Sequence, residues 1–212
     1  MTDQILAAGA LANRVAHTIH GIVSAVDPVN HAVKVLIQPE NVESGWISDA
    51  AWAQSGDIRI SCPSCVGTHV VLQPIEGDGE HLAVVGIVYD AVVLPPASPA
   101  TGRVAQPGEI LIMAGCGAPP IGANGPGTAS ASAPWWHLTR SGVFSGAGNA
   151  RSALTTTGMT WSVGEISMTL TSAGLSISGG GITSSGDVVG QSHSLSTHVH
   201  ALGQAETGTA IG

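Results

Sequence analysis

The stretch from Met159 to Ile177 constrains this chain most. Met159, Trp161 and Val163 alternate with Thr160, Ser162 and Gly164. The phase slips, and Ile166, Met168 and Leu170 then alternate with Ser167, Thr169 and Thr171; after a second slip Leu175 and Ile177 alternate with Ser176 and Ser178. Period-two alternation broken at Gly164, Ala173-Gly174 and Gly179-Gly180-Gly181 predicts short strands with one apolar face each. Strands with one thin apolar face cannot enclose a core within a single chain. The economical solution is a homotrimer in which three copies wind around a common axis. Each chain's strands would bond to its neighbours', the apolar faces would fill a narrow shared interior, and threefold symmetry would close the edges. A disordered Ser/Gly-rich tail would suit the low charge but not the repeated alternation of Met, Trp, Ile and Leu.

Composition narrows the class further. Of 212 residues only 9% are charged, yet no apolar run reaches the roughly 18 to 20 residues that a spanning helix needs. The first eleven residues lack the basic and apolar regions of a signal peptide, so synthesis and folding in the cytoplasm is expected. A formal net charge of −8, with its six Lys and Arg spread singly, argues against a nucleic-acid partner, which requires a clustered basic stripe. Cys62-Pro63-Ser64-Cys65 has redox or metal spacing, but no second such pair exists and the segment precedes a strand. Cys62, Cys65 and Cys116 are therefore read as free structural thiols.

From the N-terminus, Ile5, Ala8, Ala12 and Val15 fall at helical spacing and predict a short helix over residues 2–16. Strands are expected at Ile19 to Val26 and His31 to Ile37, joined by the turn Asp27-Pro28-Val29-Asn30. Others are expected near Gly45 to Ser48, Asp57 to Ser61, Thr68 to Gln73 and His81 to Tyr89, with Pro74 and Gly77-Asp78-Gly79 making the last turn. Five or six short strands are the inventory of a small closed barrel. Pro95, Pro96 and Pro99 mark a stiff linker; between Thr101 and Thr128, Glu109 to Met113 is an apolar piece, and the Gly/Pro/Ala tract through Cys116, Pro119-Pro120 and Gly125-Pro126-Gly127 reads as a loop or an insertion. Trp135-Trp136-His137 is the densest aromatic spot and is expected to be buried between subunits. The expected organisation is an arm over 1–17, a barrel over 18–91, a linker and intermediate β region over 92–154, and a shaft with its apex over 155–212.

Near the C-terminus stands His198-Val199-His200. In an extended segment from Ser194 to His200, His198 and His200 project to one side, roughly 7 Å apart. Imidazole suits zinc, copper, iron and nickel, but two ligands do not fill a shell. His193 or Glu206 would supply more, or three copies meeting on an axis would bring six nitrogens; the bland reading is a pair of solvated histidines.

Two blocks carry a resemblance. Gly21-Ile22-Val23, Val26-Asp27, Val33 to Ile37, Ser44 to Ile47, Pro63, Val66-Gly67, Val70 to Leu72, Pro74, Gly77-Asp78 and Val84 to Tyr89 resemble the OB-fold domain of the phage baseplate assembly protein V family. Gly186 to Val189, Ser194 to His200, Gly203-Gln204 and Thr207-Gly208 resemble the spike tip of the same family. The resemblance implies an OB-fold barrel followed by a trimeric triple-stranded β-helix spike, the central spike of a contractile tail. It further implies one iron ion per trimer held by His198 and His200 of three chains, and a baseplate hub partner for the barrel and N-terminal helix. A tip that pierces the host envelope, a virion location and a mechanical, non-enzymatic role follow from the same resemblance. Two other readings compete. A cupin-type metalloenzyme would need intervals that Gly190, His198, His200, Glu206 and Gly212 all miss, and no hydrolase constellation is present. A trimeric receptor- or carbohydrate-binding tail fibre would share the β-rich trimer but expands into a globular head, whereas this chain ends at Gly212.

Overall fold

The computed structural model describes residues 17–76, 78–117, 127–191, 193–194 and 196–197. Among them the chain is all β, with no helix. The helix expected over 2–16 lies outside the described residues.

The first strands are β1 (Ile19–Asp27), β2 (Ala32–Ile37), β3 (Val42–Glu43), β4 (Ile47–Ser48), β5 (Ala53–Ser55), β6 (Ile58–Ile60), β7 (His69–Ile75) and β8 (Asp78–Ile87). Five of them close a barrel in the order β1-β7-β8-β4-β2 and back to β1, every step antiparallel except β4 to β8. Alternation decides which side chains point inward: Val33 and Val35 of β2, and Val70 and Leu72 of β7, are fully buried with Val23, Leu82 and Val84. The β1–β2 turn forms where expected, because the Asp27 carboxylate accepts the N–H of Val29 (3.0 Å) and of Asn30 (3.2 Å). Gly21 fits only as glycine, since a Cβ there would stand 2.2 Å from Val35 Cγ1. One expectation is corrected here. Pro74 is not in the turn but inside β7, opposite Leu82, and Glu76, with φ 55°, makes the bend instead.

After the barrel the chain folds back where a stiff linker was expected. Asp90 accepts the N–H groups of Val92 (2.7 Å) and Val93 (2.9 Å) and meets His69 Nδ1 at 2.5 Å, fixing the exit to β7. Ser98, almost wholly buried, donates its N–H to the Arg103 carbonyl (2.9 Å), and Ala97 bridges Val104.

The second half is one seven-stranded antiparallel meander: β9 (Ile110–Met113), β10 (Trp135–Leu138), β11 (Gly142–Ala147), β12 (Ala150–Thr155), β13 (Gly158–Val163), β14 (Ile166–Thr171) and β15 (Gly174–Ser178). The strands read from the alternation are therefore present, but each pairs with its sequence neighbour in the same chain. Tight turns of two residues make that pairing immediate, so the ladder hydrogen bonds expected between chains are satisfied within one. The boundary expected at 154/155 falls in the β12–β13 hairpin, inside this sheet. A small hairpin follows, β16 (Val189–Gly190) with β17 (His193–Ser194).

Candidate functional site

Directly opposed residues of adjacent strands share a face. Ile110, Leu138, Val143, Leu154, Met159, Leu170 and Leu175 oppose one another in succession, so one unbroken apolar row crosses all seven strands. A parallel row runs Ile112, Trp136, Ser145, Ser152, Trp161, Met168, Ile177, and a shorter one Ala147, Ala150, Val163, Ile166. Ten of the large apolar side chains in these rows are open to solvent in the single chain, from Trp136 at 38% to Val163 at 65%. Burying the remaining half of each is worth about 1 kcal/mol, or about 10 kcal/mol per chain. Monomeric proteins rarely leave a contiguous apolar surface of this extent bare.

The opposite face differs. Over β13 to β15 it carries Thr160, Ser162, Ser167, Thr169, Ser176 and Ser178, cross-linked by Thr160–Thr169 (3.3 Å) and Ser167–Ser178 (2.7 Å) hydroxyl contacts. Over β9 to β11 it is covered by the chain itself. Trp135 and His137 are buried there, with Arg151 stacked over the Trp135 ring at 5.3 Å. The aromatic spot is thus corrected in part: alternation along β10 sends Trp135 and His137 under the chain's own loop, and only Trp136 reaches the open face.

A charged cluster seats that loop. Arg103 forks onto the Glu109 carboxylate at 3.0 and 3.2 Å, and Gln106 N–H adds a third bond at 2.9 Å. The Arg103 guanidinium, chiefly, holds the Glu109 carboxyl below the usual range. His137 Nε2 lies 3.4 Å from Glu109 without the alignment of a hydrogen bond, and its Nδ1 has no hydrogen-bond partner among the described residues. No sequence signal marked Glu109 or Arg103, because only the fold brings them beneath β10.

The expected metal ligands His198 and His200 lie outside the described residues. Just before them, the expected straight strand from Ser194 to His200 is interrupted. β17 ends at Ser194, and Ser196-Thr197 form a turn in which Thr197 donates its N–H to Ser194 Oγ (2.9 Å) and Ser196 its N–H to Asp187 (3.0 Å). Short polar side chains here compete with a strand partner for the backbone donors. Ser194, first, and the Ser196 N–H hold the Asp187 carboxyl below its ordinary range.

Cys62 and Cys65 are exposed free thiols on a segment, residues 61–65, that has neither turn nor bend. Between them Ser64 is buried and donates both its N–H and its hydroxyl to Asp49 at 2.8 Å, which anchors the segment. Cys116 is half-buried, and burial raises its thiol pKa. Among the described residues no group of three or more His, Cys, Asp and Glu side chains converges to hold a metal. No protein-family model matches the chain, and no curated protein matches it significantly.

Proposed function

We propose that this chain is the protomer of a homotrimeric spike, with a mechanical and not a catalytic role. The observation that carries the reading is the apolar row that crosses all seven strands with nothing of the described chain covering it. Three copies of that face, turned toward a common axis, give each sheet the second layer that a stable β structure requires. The interior would be narrow and lined by Leu, Met, Trp and Ile, with hydroxyl side chains outside, forming the shaft of a three-walled spike. Pairing within each chain makes every sheet a preformed wall, and association joins the walls.

The barrel's strand order, with its single parallel step between β4 and β8, supports reading it as an OB fold. Val85 and Ile87 of β8 and Tyr89 beyond it are exposed, and offer an apolar strip to a baseplate hub. By the resemblance to the baseplate assembly protein V family, the assembly is the central spike of a contractile tail, driven through the host envelope when the sheath contracts. His198 and His200 of three chains would hold an iron ion at the apex. Six neutral imidazoles form a donor set suited to a first-row transition metal, and binding would tie together three chain ends that otherwise fray.

Sedimentation of the purified full-length protein, with elemental analysis, tests the reading. A trimeric mass with one transition-metal ion per three chains is expected. His198→Ala or His200→Ala should abolish the metal and leave the trimer, because the sheet precedes the apex. A monomer that is stable on dilution would refute the spike; a trimer that keeps its metal in both variants would refute the apex alone.

A further inference from the structure

We infer that residues 139–186 are three tandem copies of a 16-residue cassette, and that the number of cassettes sets the length of the sheet. Thr139, Thr155 and Thr171 recur at this interval, as do Gly142, Gly158 and Gly174, and Gly148, Gly164 and Gly180. The structure repeats with the same period. Moving β11 (Gly142–Ala147) by sixteen residues gives β13 (Gly158–Val163), and moving β12 (Ala150–Thr155) gives β14 (Ile166–Thr171), end for end. The registers coincide as well: Gly142 opposite Thr155 becomes Gly158 opposite Thr171, and Ala147 opposite Ala150 becomes Val163 opposite Ile166.

The turn chemistry is copied too. Thr139 Oγ1 donates to the Gly142 carbonyl (3.0 Å) and accepts the Ser141 N–H (3.1 Å); Thr155 Oγ1 donates to the Gly158 carbonyl (3.2 Å) and accepts the Thr157 N–H (3.3 Å). In the third copy Thr171 Oγ1 accepts the Ala173 N–H (3.2 Å). The glycine after each of the first two turns is required by the same close approach: a Cβ at Gly142 or Gly158 would stand 2.4 Å from the carbonyl oxygen of Leu154 or Leu170.

A cassette is one strand pair, so each adds about 10 Å along the sheet. The third copy also explains where the sheet stops. Ile182 keeps the phase of Ile166, but Ser184 and Gly186 stand where the second copy has Met168 and Leu170, and the meander ends at β15. Losing the apolar positions removes the face that would hold another strand. Because each cassette touches only its neighbours, copies can be removed or added as in other repeat folds.

Two full-length variants test this: deletion of residues 155–170, which joins Leu154 to Thr171, and tandem duplication of the same residues. Both should retain cooperative unfolding and the parent's association state. The maximum dimension in small-angle scattering should fall by about 10 Å in the first and rise by about 10 Å in the second. A third variant lacking residues 155–169 shifts the phase by one, turns the downstream apolar side chains to the other face, and should lose amide protection over β15. Loss of the sheet in both in-period variants would overturn the cassette, as would an off-period variant as well protected as the in-period deletion. Either result would leave the trimer test of the parent protein untouched.

Discussion

Leu170→Ala isolates the open face from the fold of the single chain. Leu170 sits in the middle of the apolar row, opposite Met159 and Leu175, and is 48% exposed in the isolated chain. If nothing covers it, truncation costs about 1 kcal/mol, the share of transfer energy that the chain already gains there. If three copies cover it, the full cost of a buried Leu→Ala applies, about 2 to 5 kcal/mol, and applies three times, about 6 to 15 kcal/mol per assembly. Subtracting the roughly 3 kcal/mol that three isolated chains would lose leaves about 3 to 12 kcal/mol charged to association, at least about two powers of ten in the association constant. Thr160→Ala is the control, since Thr160 is on the hydroxyl face of the same sheet. Sedimentation equilibrium over a dilution series should show Leu170→Ala dissociating at concentrations where the parent and Thr160→Ala remain associated. Equal association of all three would refute the covered face, whatever the parent's mass.

Two further outcomes test the barrel and its exit. Gly21→Ala forces a methyl against Val35 and should cost about 1 to 3 kcal/mol of unfolding free energy; a midpoint unchanged in urea would show that the β1–β2 contact is loose. Asp90 is held down to about 2 from an ordinary 3.8, first by the Val93 N–H, then by His69 and the Val92 N–H. A depressed carboxyl contributes its stabilisation fully above the unfolded value, and that contribution is lost as pH falls from 3.8 towards 2. Amide exchange at Val92 and Val93, corrected for intrinsic rates, should therefore accelerate over that window in the parent. In Asp90→Asn it should stay fast throughout, and pH-independent protection in the parent would contradict the clasp.

What could be read from the sequence, and what could not, follows from what alternation encodes. Period two fixes which face a side chain takes, so Val33 with Val35, and Met159 with Trp161, were placed correctly. It does not name the partner strand, and that is why pairing between chains was expected where two-residue turns give pairing within one. The apolar alternation also carries no trace of the cassette, whose repeated positions are chiefly Thr and Gly around the turns. Pro74 has the local chemistry of a turn residue, yet it sits within β7 opposite Leu82. At the tip, a straight strand was expected through Ser196 and Thr197, but the Asp187 carboxylate and the Ser194 hydroxyl take the backbone donors. The ion pair of Arg103 and Glu109 has no local signature, since five residues of loop separate partners whose meaning comes from His137 on a later strand.

The two faces of β10 also bear on how the bare face should be understood. Along β10 the bulky residues divide between the two faces: Trp135 and His137 go to one, Trp136 and Leu138 to the other. On the first face Arg151 stacks over Trp135 and Glu109, paired with Arg103, stands beside His137, while Trp136 and Leu138 are open. A chain short of covering material would show exposed apolar groups on both faces. Here the exposed groups keep to one face across every strand from β9 to β15, while the other is either covered or made of hydroxyls. One-sided exposure sustained over seven strands requires the same choice at each strand, and random surface composition does not make it. In the trimer proposed above, the same face of two further copies would cover it without needing any residue the chain does not already have.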